Sequence, residues 1–341
     1  MEFLYEYGLF FAKAFTFVIA LVIALVAILA VANKQKPTDN GSLELVSLSD
    51  GFDDLTQMGK EALLSKEALK KLQKADKKEK KDKKKDTSTE DNKHLFVIDF
   101  NGSSMAKEVE TLRKEITAVL CIAKEGDEVL VKVESGGGVV HGYGLAASQL
   151  KRFKDKGIKL TISIDKVAAS GGYMMACVAD KVIAAPFAIV GSIGVVAQLP
   201  NFNKLLKKND VDFEMHTAGD FKRTLTLFGE NTDEGREKFQ QELEEVHVMF
   251  KDFVKNNRPD IDIEKVATGE YWYGSKAQEL NLVDEIQTSD DFLMQANESF
   301  KLYKLKYASK KTLAQKLGLA VSQGVENGIA NVITSARNWR V

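Results

Sequence analysis

One stretch decides how this chain folds: Lys166-Val167-Ala168-Ala169-Ser170-Gly171-Gly172-Tyr173. It follows an apolar run at 160–164 and leads into small and apolar residues, a pattern that predicts a strand, a tight turn and a helix beginning near Gly171. A serine at such a turn exposes its hydroxyl beside the free N–H groups of the helix start. Two interpretations follow: Ser170 is a nucleophile, or it simply caps the helix, as serines often do.

Strand and helix patterns alternate on both sides of this stretch. Short apolar runs predict strands, and apolar residues at helical spacing predict the helices that connect them. The predicted strands lie at 95–100, 129–133, 160–164, 181–184 and 213–217, and a long amphipathic helix is predicted at 232–256. Alternation with short connections is typical of parallel βαβ units, so the predicted class is a layered α/β domain with a parallel sheet.

A second glycine-rich turn, Ser135-Gly136-Gly137-Gly138, follows the strand predicted at 129–133. It lacks both the lysine–serine/threonine ending of a phosphate-binding loop and G-x-G-x-x-G spacing, which argues against a nucleotide site. Glycines after a strand also allow backbone N–H groups to approach a reacting carbonyl. One N–H group of this turn, together with that of Gly171, would form an oxyanion hole, in which each donor contributes about 3–4 kcal/mol of transition-state stabilisation.

A serine hydroxyl needs a base before it acts as a nucleophile. His141 lies just past the glycine turn and His216 lies in the strand predicted at 213–217, but neither is accompanied by an orienting acid in a turn. The segment 219–224 places Lys222 on a turn, and lysines act as bases where burial keeps the amine neutral. A solvated side chain is the usual outcome for a lysine, so the residues alone leave the base open.

The N-terminal segment from Ala14 to Ala32 is apolar apart from Thr16 and is long enough to cross a bilayer as a helix. A cleaved signal peptide would begin with a basic region, whereas Glu2 and Glu6 stand there, so we predict a retained transmembrane anchor. The few charges beside the anchor leave open which side of the membrane holds the remaining chain.

The chain is predicted to contain a transmembrane anchor at 1–33, a charged tether at 34–93, a folded domain at 94–300 and an amphipathic helical tail at 301–341. In the tether, residues 74–86 interleave lysines with acids, which is typical of a solvated segment rather than of a lipid-binding or nucleic-acid-binding patch. The tail has few basic residues, and these are scattered, so we expect it to dock on protein rather than on a membrane surface.

Composition narrows the functional classes. The net charge of −1 gives no reason to expect nucleic acid, and a hydrophobic content of 44% indicates a globular protein. Two cysteines are too few for a disulfide framework, and the four histidines lack the spacing of a metal site. We therefore expect neither a metal nor a cofactor.

Several segments together resemble the signal peptide peptidase A family of serine peptidases. They are Ala168–Tyr173, Gly191–Val195, Gly219–Lys222 and the run at 267–285. The resemblance spans roughly residues 94–290, and its motifs are specific as a set because both their order and their spacing agree. The single copy of the domain, the anchor and the lysine-rich tether favour the membrane-anchored, single-domain branch of this family.

The resemblance implies a Ser–Lys dyad, with Ser170 as nucleophile and Lys222 as general base. It also implies an oxyanion hole formed by Gly171 and either Gly137 or Gly138. The implied fold is the ClpP/crotonase type, in which stacked ββα units form a parallel sheet. Relatives assemble as homo-oligomeric rings in which the lysine reaches the serine of a neighbouring subunit.

The implied function is that of a serine endopeptidase anchored in the bacterial inner membrane, with signal-peptide remnants or envelope proteins as its peptide substrates. A crotonase-like acyl-CoA enzyme and a catalytically silent membrane scaffold are the alternatives. The sequence departs from the family at Gly136, where a proline usually precedes the glycine pair. Glycine should loosen this turn because it adds about 0.5–1 kcal/mol of unfolded-state entropy.

Overall fold

The computed structural model describes residues 8–11, 13–17, 41–65, 67–69 and 93–308. Most of the predicted anchor, the lysine-rich segment and the tail from residue 309 onward therefore lie outside the described residues. No helix in these described ranges is both long enough and apolar enough to span a bilayer.

The chain divides into two compact units. One consists of Met1–Ser42 and Ala308–Val341, and its described part includes helical residues at 8–11 and 13–17. The other unit, Leu43–Tyr307, contains the sheets, the core and the candidate site.

The strands are β1 (Ser42–Ser47), β2 (His94–Asn101), β3 (Glu128–Glu134), β4 (Lys159–Ile164), β5 (Val167–Ala169), β6 (Lys181–Ala184), β7 (Ile189–Gly191), β8 (Tyr271–Tyr273), β9 (Glu285–Ile286) and β10 (Lys301–Ala308). The helices are α1 (Leu48–Leu63), α2 (Val109–Ile122), α3 (Val140–Asp155), α4 (Gly171–Ala176), α5 (Asn203–Lys208), α6 (Asp233–Asn257), α7 (Ile263–Val266), α8 (Gly274–Glu279) and α9 (Ser289–Ala296).

Seven strands form the main sheet, in the order β1-β10-β2-β3-β4-β6-β9. Every neighbouring pair from β10 to β9 is parallel. In β2, Phe96, Ile98 and Phe100 enter the main hydrophobic core, while Leu95 and Val97 enter a smaller core. Successive side chains point to opposite faces of a strand, so both faces of β2 are buried from Leu95 to Ile98, where its sequence is continuously apolar. The predicted α/β class with a parallel sheet is confirmed.

A second, three-stranded sheet positions the candidate site. β5 runs parallel to β7, and β7 runs antiparallel to β8. Ser135, which follows β3, forms a parallel bridge with Ala168 of β5. This bridge brings the glycine turn after β3 beside the Ser170 turn after β5, and the turn after β7 lies next to both.

The long helix is confirmed as α6, and its first turn shows why it begins where it does. The Thr232 hydroxyl accepts a hydrogen bond from the Gly235 N–H at 3.0 Å, which satisfies one of the free donors of the helix start. Asp233 and Glu234 add negative charge at the same end, where the helix dipole favours it.

The prediction of a strand at 213–217 is wrong, because these residues are exposed and form no strand. Phe213 and Met215 give the segment strand propensity, but no described strand runs beside it to satisfy its backbone. The main sheet also uses strands from outside 94–300. β1 lies within the segment predicted as a tether, and β10 occupies the start of the segment predicted as a helical tail.

Candidate active site

Ser170 occupies a strained turn between two regular elements. β5 ends at Ala169 and α4 begins at Gly171, and the Ser170 between them has φ 52° and ψ −118°. A non-glycine residue rarely adopts such a conformation, which persists only where the surroundings impose it. Here the Ser170 N–H donates to the Gly191 carbonyl at 2.7 Å, and the Ser170 carbonyl accepts from the Met174 N–H at 2.9 Å.

The Ser170 side chain does not act as a helix cap. Although it stands at the N-cap position of α4, its hydroxyl makes no capping hydrogen bond. The residue is partly exposed and lines a cleft of ≈ 640 Å³. The interpretation of Ser170 as a helix cap is therefore not supported, and its hydroxyl is accessible from the cleft.

The cleft has a glycine-rich wall and an apolar wall. The glycine-rich wall consists of the turn at 136–138, the start of α4 and the turn after β7. The apolar wall is formed by Met105, Val139, Met174, Val246 and Phe250. Such a cleft combines accessible backbone groups with apolar side chains, which suits an extended peptide.

Gly137 and Gly138 approach their neighbours so closely that no side chain fits. Gly137 has a φ of +89°, and a Cβ atom there would lie 2.7 Å from the Ser170 Cβ and 2.8 Å from the Ala169 carbonyl oxygen. A Cβ atom at Gly138 would lie 2.0 Å from the Ser104 carbonyl oxygen. Glycine is therefore required at both positions.

The three predicted oxyanion donors, Gly137, Gly138 and Gly171, differ in what their N–H groups bind. The Gly137 N–H donates to the Ser135 hydroxyl at 3.1 Å. The N–H groups of Gly138 and Gly171 have no hydrogen-bond partner within the described part of the chain, and both residues line the cleft beside Ser170. The N–H groups of Gly138 and Gly171 are thus free to bind a ligand. The N–H of Gly137 is occupied, and this residue instead allows the glycine turn to lie close to Ser170.

None of the three predicted base candidates lines the cleft. His141 is exposed at the start of α3. The His216 side chain is 90% exposed and lies 3.5 Å from a Glu214 carboxylate oxygen. Lys222 lies on the predicted turn, where its N–H donates to the Gly219 carbonyl at 3.2 Å, and it is exposed. The described residues of one chain thus bring no lysine, histidine or acidic side chain to the wall of the cleft.

Lys222 belongs to residues 196–231, a segment that we call the arm. Within it only Gly229 is buried. The Phe202 and Phe228 rings stack at 6.0 Å, and Phe213 approaches Phe228 at 5.9 Å. The arm therefore has internal order but little burial. Its exposed large apolar side chains are Val196, Leu199, Phe202, Leu205, Val211, Phe213, Met215, Phe221, Leu227 and Phe228.

Sequence reasoning missed Ser135 and Tyr143 as residues of this site. Tyr143 is fully buried, and its hydroxyl oxygen lies 2.5 Å from the Ser135 hydroxyl oxygen. Burial raises the pKa of Tyr143, so the hydroxyl keeps its proton at neutral pH. The only local signal was the position of Ser135 directly before the glycine turn, because Tyr143 reads as one more core residue of helix α3.

Comparison with known proteins identifies the class. Residues 2–150 match the family described as Peptidase family S49 N-terminal, and residues 152–303 match Peptidase family S49. A protein of Haemophilus influenzae named probable protease SohB is 51% identical over 331 residues, which cover 94% of each chain. The chain therefore belongs to peptidase family S49, and it is a peptidase.

A second relative has the same name as the first, and the two place the chain in the SohB branch of the family. Another probable protease SohB, from Buchnera aphidicola, is 49% identical over 333 residues, covering 97% of this chain and 98% of the relative. Among solved structures, a mutant of the 1510-N membrane-bound stomatin-specific protease in complex with a substrate peptide aligns with a TM-score of 0.43 and 10% identity, over 68% of this chain and 99% of that chain.

Proposed function

We propose that this peptidase is a serine endopeptidase with Ser170 as nucleophile and Lys222 as general base. The observation that carries the proposal is the strained turn that holds the Ser170 hydroxyl in the cleft beside the free N–H groups of Gly138 and Gly171. Backbone strain persists only where the surrounding structure stabilises it, and it concentrates at functional sites. The same turn would serve no purpose if the serine only capped a helix.

In the proposed reaction, the Ser170 Oγ attacks the carbonyl carbon of a peptide bond while its proton passes to the neutral amine of Lys222. The carbonyl oxygen becomes an oxyanion, which accepts hydrogen bonds from the N–H groups of Gly138 and Gly171. The protonated Lys222 then gives its proton to the leaving amine as the C–N bond breaks. Lys222 next deprotonates a water molecule, which attacks the acyl-enzyme ester and restores the serine hydroxyl.

We further propose that Lys222 reaches Ser170 from a neighbouring subunit of a homo-oligomeric ring. Two observations support this arrangement: the cleft has no basic side chain of its own among the described residues, and the arm exposes apolar side chains such as Val196, which is 80% exposed. Contiguous exposed apolar surface is typical of interaction sites. Contact with a second copy would also desolvate the arm, and a desolvated lysine amine is favoured in its neutral, basic form.

Complementation between two inactive variants tests the ring. Ser170→Ala and Lys222→Ala are each expected to be inactive alone, and their co-expression should restore hydrolysis, since some sites then combine an intact serine with an intact lysine. Mixed oligomers that remain inactive would contradict action between subunits and favour a dyad within one chain.

The proposed substrates are unstructured peptides, such as signal-peptide remnants or envelope proteins. The apolar wall of the cleft supports this class, because Met105, Met174 and Phe250 would contact an apolar side chain next to the scissile bond.

We also propose that the segment at 14–32 anchors the enzyme in the bacterial inner membrane as a single span. The parallel sheet with its adjoining three-stranded sheet supports the ClpP/crotonase type of fold.

The nucleophile is tested directly by Ser170→Ala, which should abolish both hydrolysis of an unstructured peptide and covalent labelling by a serine-directed phosphonate. Ser148→Ala is the matched control, because Ser148 is an exposed serine of α3 whose hydroxyl donates to the Gly144 carbonyl of its own helix. Labelling that persists in Ser170→Ala would assign the nucleophile elsewhere. If the unaltered protein binds acyl-CoA and the phosphonate does not label it, the acyl-CoA enzyme is favoured. If the unaltered protein hydrolyses no substrate, the scaffold is favoured.

A further inference from the structure

Ser135 and Tyr143 form a hydrogen-bonded chain beneath the cleft, where they are 2% and 0% exposed. The Gly137 N–H donates to the Ser135 hydroxyl at 3.1 Å, and the two hydroxyl oxygens are 2.5 Å apart. The Tyr143 hydroxyl donates to the Ser103 carbonyl at 2.9 Å. The Ser135 hydroxyl can also donate to the Gly102 carbonyl at 3.3 Å. These contacts join Gly137, through Ser135 and Tyr143, to the loop that contains Gly102 and Ser103.

This chain ends on a loop that is itself held in place. The Ser103 N–H and hydroxyl donate to one Glu108 carboxylate oxygen at 3.0 and 2.9 Å. Partial burial opposes ionisation of Glu108, but the hydrogen bonds from Ser103 outweigh it and lower the pKa of this carboxyl. The loop therefore remains fixed at neutral pH, where Glu108 is charged.

The same loop holds the other end of the glycine turn. The Ser104 carbonyl accepts a hydrogen bond from the Val139 N–H at 2.9 Å. The turn is thus fixed at Gly137 by Ser135 and at Val139 by Ser104. The free N–H of Gly138 lies between these two fixed points, so its direction depends on both.

The Ser135–Tyr143 pair also supports the second donor. A Cβ atom at Gly171 would lie 2.4 Å from the Tyr143 Cγ, which shows that the ring packs directly against the start of α4. A Cβ atom at Gly172 would lie 2.6 Å from the Ser135 carbonyl oxygen. One pair of buried side chains therefore contacts both the turn of Gly138 and the helix start of Gly171.

We propose that Ser135 and Tyr143 are positioning residues that aim the N–H groups of Gly138 and Gly171 at the oxyanion, an inference that rests on the proposed serine peptidase function. Such donors act only within about 2.7–3.1 Å of the developing oxyanion, so small changes in their direction matter. The turn needs this support because it has Gly136 where a proline would fix φ.

The test uses Tyr143→Phe and Ser135→Ala in the full chain, with Tyr173→Phe as the matched control. Tyr143→Phe keeps the ring against Gly171 and removes only the hydroxyl. Tyr173 is also fully buried, and its hydroxyl donates to the Leu282 carbonyl at 3.0 Å, outside the proposed chain. Each variant is assayed with an oxygen ester and with the matching thionoester, whose sulfur is a poor hydrogen-bond acceptor and gains little from aimed donors.

We expect Tyr143→Phe and Ser135→Ala each to lower kcat for the oxygen ester by roughly 10- to 100-fold with KM nearly unchanged. The thionoester rate should change little, so the preference for oxygen over sulfur falls by the same factor. The double variant should lose no more than the worse single variant, because both substitutions break one chain. Tyr173→Phe should keep the oxygen preference of the unaltered enzyme.

Three outcomes would overturn the proposal: a kcat for Tyr143→Phe within about twofold of the unaltered enzyme, an equal loss of oxygen preference in Tyr173→Phe, or a proportional loss of both ester rates. The last two would indicate general loosening of the fold. A Ser170→Ala protein that still hydrolyses the esters would instead contradict the proposed function, which keeps the two failures distinguishable.

Discussion

The two regions that contribute to the proposed site are built in opposite ways. The N–H and the carbonyl of Ser170 both form hydrogen bonds, and the supporting Tyr143 and Gly171 are buried. The arm at 196–231, which contains Lys222, is almost entirely exposed. The nucleophile and its oxyanion donors are thus fixed by the core, whereas the proposed base stands on a surface that the described part of the chain leaves uncovered.

This difference shows which geometry a single subunit can impose. A serine with positive φ needs packed surroundings, since strain of this kind costs on the order of 1–3 kcal/mol. A lysine used as a base needs burial only when it acts, and a second surface can supply that burial. The arm has the local order to present such a surface, because the Asn201 side-chain amide donates to the Thr226 and Gly229 carbonyls at 2.9 and 3.0 Å.

Lys222→Ala gives the largest expected effect and separates chemistry from stability in the arm. Removing a general base should lower kcat by roughly 10²–10⁴-fold. Tm should change little, because the side chain is exposed within its own subunit. Lys208→Ala, an exposed lysine at the end of α5 on the same arm, is the matched control and should keep full activity. Full activity in Lys222→Ala would exclude the Ser–Lys dyad.

Gly137→Ala tests the buried region around Ser170 and should lower both kcat and the free energy of unfolding. The new Cβ would press on Ser170 and Ala169, and the positive φ is unfavourable for alanine. We expect kcat to fall roughly 100-fold or more as the donors are displaced, and the free energy of unfolding to fall by about 1–3 kcal/mol. Gly144→Ala, a helical position with no atom within 4 Å of the new Cβ, should be neutral or slightly stabilising. Equal behaviour of the two variants would contradict the close contact between the turns.

The elements around Ser170 could be predicted because their signals are local. An apolar run, small residues and a glycine pair specify a strand, a turn and a helix without reference to the rest of the chain. The segment at 213–217 shows the limit of such signals, since strand propensity produces a strand only where a neighbouring strand supplies hydrogen bonds. Nothing within those residues reports whether that neighbour exists.

Contacts between residues far apart in the chain could not be predicted from the sequence, because local patterns do not report which elements become neighbours. The Ser49 hydroxyl donates to the Asn297 side chain at 2.6 Å and accepts from the Leu302 N–H at 3.0 Å, which joins α1 to α9 and β10 across most of the chain. The contact between Ser135 and Tyr143 spans only eight residues, but it depends on how the glycine turn between β3 and α3 folds. The glycines of the site could be recognised by type, but which N–H groups stay free follows from these contacts.

Glu115→Gln should show that the stability of the unit at 43–307 depends on pH. Glu115 of α2 is 5% exposed and accepts a hydrogen bond from the Tyr307 N–H at 2.9 Å. Burial raises the pKa of Glu115 from an ordinary 4.5 to about 7. The folded state therefore holds a proton that the unfolded state releases across this range, so stability falls as pH rises from about 4.5 to about 7.

Glutamine keeps the acceptor for Tyr307 without the charge. In urea unfolding we expect Glu115→Gln to raise the free energy of unfolding by about 2 kcal/mol at pH 8 and to leave it nearly unchanged at pH 4. An equal gain at both pH values would indicate better packing rather than relief of a buried charge. Substitutions at exposed arm residues should show no such pH dependence.

Gly136→Pro gives the smallest expected effect and changes the glycine turn at 135–138 directly. Gly136 has no left-handed φ, a Cβ atom there meets nothing within 4 Å, and its N–H donates no hydrogen bond within the described residues. The preceding Ser135 forms a parallel bridge and is extended, as a residue before proline should be. Proline should therefore raise the free energy of unfolding by about 0.4–1 kcal/mol, measured by urea unfolding, through a less flexible unfolded chain.

Combining Gly136→Pro with Tyr143→Phe tests whether the proline and the hydroxyl chain fix the same turn. If Ser135 and Tyr143 compensate for a turn without proline, Gly136→Pro should recover part of the kcat that Tyr143→Phe loses for the oxygen ester, because φ is then fixed independently of the hydroxyl chain. Gly136→Pro should bring no recovery to Lys222→Ala, whose defect lies on the arm. Recovery in both backgrounds would mean that proline acts on the whole site, whereas recovery in neither would mean that the Gly138 N–H takes its direction from Ser104 alone.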